Sequence, residues 1–252
     1  MAITITTVLA GAAVAGLAAG GYAYAGMWPS SQIFGRAIIA GNDPAEFALT
    51  YDDGPNDPYT YQLLDLLARH EVRATFFVIG RFVRQRPEIV RAIRAAGHLV
   101  GNHTVTHPVL LFQPPRRVRE ELAGCNAAIE DAIGEAVRWF RPPHGARRPD
   151  VLRCARELGL TPVLWNAMGY DWKATTAERV LANLDRGIAH NRRAERGSNL
   201  LLHDGGQAGI GQDRSHSVAA TRMLIERSAL QKARFVTVDA WNERSSGAEN
   251  RG

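Results

Sequence analysis

From residue 47 onward the hydrophobic positions of this chain switch repeatedly between two periods. Short runs rich in β-branched and aromatic side chains, FALTY (47–51), ATFFV (74–78), HLVGN (98–102), VRWF (137–140), PVLWN (162–166), NLLLH (199–203) and RFVTV (234–238), have the length and composition of strands. Between them, apolar residues recur at helical spacing: Leu63/Leu66/Leu67, Ile89/Ile93, Val118/Leu122/Cys125/Ile129/Ile133, Val151/Ala155/Leu158 and Val180/Leu181/Leu184/Ile188. Pro87 and Pro149 suit first-turn positions, Gly97 and Gly159 suit helix stops, and Thr175-Thr176-Ala177-Glu178 resembles a capping box. Seven strands alternating with helices predict one α/β domain with a mostly parallel sheet, spanning residues 46–240. The polar tail 241–252 is expected to be disordered.

A different pattern precedes the domain. Residues 3–28 are apolar, small or hydroxyl-bearing throughout, and the first charged side chain is Arg36. That length can span a bilayer. Residues 1–28 therefore read as a signal peptide or a membrane anchor, with 29–45 as a linker. Ala23-Tyr24-Ala25 fits a small-x-small cleavage site, but no Lys or Arg precedes the apolar region, so both readings stay open. Either one puts the domain outside the cytoplasm, and an uncleaved anchor makes the membrane a partner.

Composition narrows the classes further. With 252 residues, 46% of them hydrophobic, the chain can build a substantial core. Its net charge of +5 rests almost wholly on arginines along the expected helices, since Lys173 and Lys232 are the only lysines. No basic stretch is interleaved with aromatics, which argues against a nucleic-acid partner. Cys125 and Cys154 fall at core-facing helical positions, match no metal-binding spacing and read as buried free thiols.

The chemistry-bearing residues gather where a parallel barrel would bring them together. Asp52 and Asp53 follow strand one, His103 and His107 strand three, Arg141 strand four, and Asp171 and Trp172 strand five, while His203 closes strand six. The C-terminal ends of barrel strands share one face. In HTVTH the two imidazoles are four apart, and a helical turn after the strand would put them on one side. Alone, that pair serves a surface or structural role as readily as a metal. A carboxylate from strand one makes a three-ligand set with coordination positions left open, as catalytic zinc requires. One of the two adjacent aspartates can then bind the cation while its neighbour acts on water, with Gly54-Pro55 turning the backbone at the site. Two histidines and a carboxylate also describe non-haem iron oxygenases, but their usual antiparallel barrel disagrees with the βα alternation here.

Taken in order, TYDDGP, HTVTH, RPPHG, YDW and LLLHD resemble the five motifs of the NodB-like polysaccharide deacetylases, carbohydrate esterase family 4. The resemblance covers about residues 47–240. It implies a distorted (β/α)7 barrel, the NodB homology domain, holding one divalent metal ion, usually Zn2+. The implied activity is removal of acetyl from N-acetylated amino sugars, with peptidoglycan as the first substrate and chitin-type oligosaccharides as the second. By this resemblance Asp52 is the general base, paired with Arg141. Asp53, His103 and His107 bind the metal, and His203 is the general acid, with Asp171 in the catalytic set. Tyr51, Pro143, His144, Trp172 and Leu201 form the implied substrate-binding set. Within that set Leu201 and Trp172 line the acetyl pocket, and the backbone N–H of His144 faces the oxyanion. Trp165, Phe112 and Tyr170 read as core residues more readily than as sugar platforms.

Two positions depart from the family pattern. His144 stands where tyrosine is common, and Met168 stands where many members carry an acidic residue bonded to the acid histidine. The second departure leaves open what orients His203. Competing readings are a catalytically silent glycan-binding protein on the same barrel and a deacylase of another small amide.

Overall fold

Strand β1 (Glu46–Gly54) is buried along its whole length, as a strand at the centre of a parallel sheet must be. In the computed structural model, which describes residues 20–173, 175–230 and 233–242, every strand pairing is parallel. The strands β2 (Thr75–Val78), β3 (Leu99–Asn102), β4 (Trp139–Phe140), β5 (Thr161–Pro162), β6 (Ala167–Met168) and β7 (Ser198–His203) run in the order β5-β4-β3-β2-β1-β7-β6. The short β8 (Arg234–Phe235) pairs with the start of β1. Phe47 already meets Ser198 of β7 on one side, so β8 occupies the other edge, below β2.

The single strand expected at 162–166 is instead two. β5 and β6 lie at opposite ends of the sheet, yet they are consecutive in the chain. The step from Pro162 to Ala167 covers five residues and reaches at most about 17 Å, so the two edges are drawn together and the sheet curls into a distorted (β/α)7 barrel. Ile38 spans the gap: its N–H donates to the Pro162 carbonyl (2.9 Å), and its own carbonyl accepts from Leu164 (2.8 Å).

Helices α1 (Tyr59–Arg69), α2 (Gly80–Gln85), α3 (Pro87–Ala95), α4 (Pro115–Ile133), α5 (Pro149–Glu157), α6 (Ala177–Arg193) and α7 (Ser215–Leu230) cover the outside. The sequence stripes are their buried faces, including Leu63, Ile89, Leu122, Ile129, Val151 and Leu184. Both cysteines are buried and unpaired. Pro87 and Pro149 open their helices as expected, whereas the cap of α6 is Thr176, which accepts from the Arg179 N–H, one residue later than the motif suggested. The seventh helix buries a mixed face, with Ser217, Thr221 and Ser228 among Val218, Ala220, Leu224 and Ile225, which weakens its apolar stripe.

Alternation along the strands sorts the interior into layers. Phe47, Leu49 and Tyr51 of β1 face the helices with Leu200 and Leu202 of β7. Ala48, Phe77, Trp139, Val163, Val238 and Trp241 plug the lower lumen. Above them comes a polar layer of Thr50, Arg141 and Asn199, and above that the cleft.

The segment at 29–45 does more than link. Ala37 and Ile39 pack on Leu164, Trp165 and Leu201. Arg147, only 1% exposed, donates to the carbonyls of Gly145 (2.9 Å), Trp28 (2.9 Å) and Ser31 (2.5 Å). Among the described residues no helix is long and apolar enough to cross a membrane. Residues 1–19 of the apolar segment and 243–252 of the tail lie outside the described residues.

Because Arg147 satisfies the nearby Gly145 carbonyl and two carbonyls of the distant 28–31 segment, Arg147→Met is expected to destabilise the domain by about 3 kcal/mol, the scale of stranding buried polar groups. Urea unfolding measures this, and an unchanged midpoint would show that the 26–31 segment is only loosely attached.

Candidate active site

Adjacent residues on a strand point to opposite faces, so Asp52 and Asp53 need a device to share one cleft. A β-bulge provides it. The pairing of β1 with β2 jumps from Asp52↔Phe77 to Gly54↔Val78, and the extra residue, Asp53, takes a left-handed conformation (φ 72°). Gly54 is required directly after it, since any Cβ there would overlap the Asp204 carboxylate.

Asp52 faces the lumen, where Arg141 holds it. Arg141 is fully buried and donates through Nη1 to Asp52 Oδ1 (2.8 Å) and Thr50 Oγ1 (2.8 Å). Its guanidinium carbon lies 4.2 Å from the Phe77 ring centroid. Burial pushes the Asp52 carboxyl above the ordinary carboxylate range, against the downward pull of Arg141 and His203. A carboxylate displaced upward in this way is a stronger proton acceptor.

The HTVTH segment does not form the helical turn expected of it. Thr104 (φ 68°) and His107 (φ 62°) both take left-handed conformations in an irregular loop. The loop is tied from below: Asn102 Oδ1 accepts from the Thr104 N–H (2.8 Å), and Thr104 Oγ1 accepts from the His107 N–H (3.0 Å). Glu121 of α4, 1% exposed, accepts from the N–H groups of Val105 and Thr106 (2.8 Å each) and from the Thr106 hydroxyl (2.6 Å). A carboxylate thus replaces helical hydrogen bonds in holding the two imidazoles on one side.

Those imidazoles converge on Asp53. His107 Nε2 lies 3.2 Å and His103 Nε2 3.5 Å from Asp53 Oδ1, and one ligand atom from each residue falls within 4.8 Å of the others. Asp53 Oδ1 is buried without a hydrogen-bond partner among the described residues. The Nδ1 of His103 meets the Arg141 carbonyl (2.7 Å), and that of His107 meets Gln207 Oε1 (2.8 Å). In the tautomer with its proton on Nδ1, each ring would donate outward and turn an Nε2 lone pair toward the same point. Burial, then the charges of His107 and Arg141, hold His103 well below the usual histidine range. An orphaned carboxylate oxygen facing two imidazole Nε2 atoms fits a divalent cation of the zinc type with coordination positions to spare.

His203 stands across the cleft. Its Nδ1 donates to Asp171 Oδ1 (2.8 Å), its backbone N–H to Asp171 Oδ2 (2.7 Å), and Ser217 donates to that same oxygen (2.7 Å). Burial alone would lower the His203 pKa, but Asp171, with lesser contributions from Asp53 and Asp52, raises it to about 9. The question raised by Met168 is answered here: Asp171 itself orients the histidine. Sequence reasoning missed Glu121, Gln207 and Ser217. A carboxylate beside the buried stripe of α4 was the one available signal.

A cavity of about 570 Å3 joins these groups, lined by Asp52, Asp53, His103, His107 and His203 together with His144, Trp165, Met168, Trp172 and Leu201. Trp172 and Tyr170 stand at its rim, 45% and 43% exposed, with the Trp172 ring edge-on to His203. His144 (φ 57°) presents its ring beside His107. Two members of the expected substrate-binding set do not reach the cleft. Tyr51 points to the helix side of β1 and bonds Thr221 (2.9 Å), because strand alternation sends it away from Asp52. Pro143 is buried behind His144. Phe112, 77% exposed, lies outside the lining, while Tyr170 is a rim residue and not core.

The geometry defines a (β/α) barrel in which an arginine-held aspartate, an aspartate-held histidine and an Asp-His-His triad that fits a cation face one cleft. Comparison with known proteins agrees. Residues 40–163 match the polysaccharide deacetylase family model. A chitooligosaccharide deacetylase of Bradyrhizobium sp. (strain ANU 289) is 39% identical over 194 residues, 74% of this chain and 85% of that protein. A peptidoglycan-N-acetylglucosamine deacetylase of Bacillus cereus is 34% identical over 199 residues, 78% of this chain and 88% of that protein. A peptidoglycan N-acetylglucosamine deacetylase of known crystal structure superposes with a TM-score of 0.74 at 31% identity, covering 81% of this chain and 91% of that one. The chain belongs to the polysaccharide deacetylases.

The Asp171–His203 pair has a measurable signature. In the metal-free chain His203 should titrate near 9 by NMR. Asp171→Asn removes the charge that raises it, so its midpoint should fall by about 1–3 units and the alkaline limb of activity should move to lower pH. An unmoved midpoint would mean that another group sets the acid.

Proposed function

We propose that this chain is a divalent-metal-dependent N-deacetylase of N-acetylglucosamine polymers, of the peptidoglycan or chitin type, with Zn2+ as the resident ion. The observation that carries the reading is the orphaned Asp53 Oδ1 facing the Nε2 atoms of His103 and His107, beside an aspartate held by arginine and opposite a histidine held by aspartate. The relatives named for chitooligosaccharide and peptidoglycan deacetylation support the substrate class.

Asp53, His103 and His107 would hold the ion, which supplies Lewis acidity toward water and the amide carbonyl when bound. Asp52, fixed by Arg141 and pushed upward by burial, accepts the proton of the attacking water. His203, protonated below about 9, gives its proton to the departing amine nitrogen, and Asp171 stabilises the imidazolium until it does so. The backbone N–H of His144, a residue of the cleft wall, would share the oxyanion. Leu201 and Trp172 enclose the acetyl methyl, and the exposed Trp172 and Tyr170 rings offer flat apolar faces to sugar. The uncharged stretch at residues 3–28 supports an extracytoplasmic location, with the membrane as a partner if the segment stays attached.

Mass spectrometry of N-acetylglucosamine oligomers and wall fragments should show loss of acetyl with release of acetate. Binding without acetate release would establish the silent glycan-binding alternative. Asp52→Asn should keep its zinc and lose about 10²–10⁴ in kcat. Asp53→Asn should weaken zinc binding, and added zinc should restore part of its activity. If Asp52→Asn loses the ion while Asp53→Asn keeps it, the two roles are exchanged.

A further inference from the structure

The two histidines of the triad are oriented by different means. His103 is held by the backbone carbonyl of Arg141 at the end of β4, part of the barrel wall. His107 lies on the irregular loop after β3, and its Nδ1 meets the side chain of Gln207, a hundred residues further along the chain. Gln207 belongs to the glycine-rich segment GGQAGIG that follows β7 and is itself exposed at the cleft.

We propose that Gln207 is a positioning residue for the divalent cation, fixing the tautomer and ring orientation of His107 and so coupling cation retention to the 205–212 loop. The chemistry is specific. A histidine that ligates through Nε2 must carry its proton on Nδ1, and the amide oxygen of Gln207, 2.8 Å away, is an acceptor for that proton. His107 has no other hydrogen-bond partner at that nitrogen among the described residues, and its left-handed backbone (φ 62°) gives the ring no regular element to lean on. Gln207 is itself held in place, because its backbone carbonyl accepts from Arg81 of α2.

The loop sits directly on the ligand backbone. A Cβ at Gly205 would overlap the Asp53 carbonyl, so the chain can approach there only as glycine, and one at Gly206 would displace the end of the Gln212 side chain. Asn56, two residues beyond Gly54, donates to the carbonyls of Asp204 (2.8 Å) and Gln212 (2.9 Å) and accepts from the Gly211 N–H (2.6 Å). Gly206, Gln207, Ala208 and Gln212 also line the cleft. One loop therefore forms part of the substrate wall and supports a cation ligand, so a movement of the wall would be felt at His107.

This inference rests on the metal reading proposed above, and the test separates the two. Zinc affinity of the metal-free full chain is measured by competition with a chromophoric chelator, without substrate, alongside thermal unfolding of the metal-free forms. Gln207→Ala should weaken zinc binding by about 10–100-fold, the scale found when the partner of a ligating histidine is removed. Gln207→Glu should restore wild-type affinity or better, since its carboxylate accepts the same proton. Both variants should unfold at the wild-type temperature when metal-free, as expected for an exposed side chain. Zinc affinity of Gln207→Ala within twofold of wild type would overturn the inference, as would Gln207→Glu weakening binding as much as alanine does. If the wild-type chain takes up no zinc and Asp53→Ala behaves identically, the metal reading itself falls and the inference with it.

Discussion

The ion pair between Arg141 and Asp52 is the constraint around which the barrel is arranged. A guanidinium with no exposed surface is strongly disfavoured unless its charge and its donors are met. Here Asp52 and Thr50 from β1, Asn199 from β7, and the carbonyls of Val163 and Leu164 all point inward to it. Those partners come from three parts of the chain, including the short segment that draws the two sheet edges together. The arginine thus ties the open side of the barrel to its central strands and, from the same position, fixes the carboxylate proposed as the base. Replacing either partner alone would leave a buried charge uncompensated, which is why the pair is a unit of both fold and chemistry.

The rest of the cleft repeats that design with different groups. Asp171, buried and itself bonded by Ser217, holds His203. Glu121, buried on α4, holds the loop between His103 and His107. The bulge at Asp53 turns two neighbouring carboxylates onto one cavity, and they differ because only Asp52 meets the arginine. The Asp53 oxygen that faces the histidines has no hydrogen-bond partner among the described residues, and this inequality within a chemically identical pair underlies the proposed assignment of one to the cation and the other to the proton.

Much of this was legible in the sequence, for physical reasons that can be named. Runs such as FALTY and NLLLH stand out as short, near-continuously apolar segments, as strands buried on both faces are, so their ends and the positions of Asp52 and His203 followed. The PVLWN run was illegible as two strands, because nothing in its composition marks the crossing from one sheet edge to the other. The stripe of α7 is weak because hydroxyls that bond Asp171 and Tyr51 stand on its buried face among Val218, Leu224 and Ile225. Tyr51 was assigned to the cleft although alternation from Asp52 places it on the helix side. The family pattern puts an acidic partner for His203 at position 168, where this chain has methionine, which left the orienting group open; Asp171 reaches both the ring and the backbone of the histidine.

The central claim is that Arg141 acts through Asp52 as one unit, and a double-mutant cycle on kcat tests it most directly. Arg141→Lys, Asp52→Asn and the double variant would be compared at equal zinc occupancy, with folding checked by circular dichroism. The account predicts that the double variant is little worse than Asp52→Asn alone, since the arginine has no second route to the reaction. Losses that multiply would contradict it and would give Arg141 and Asp52 separate roles.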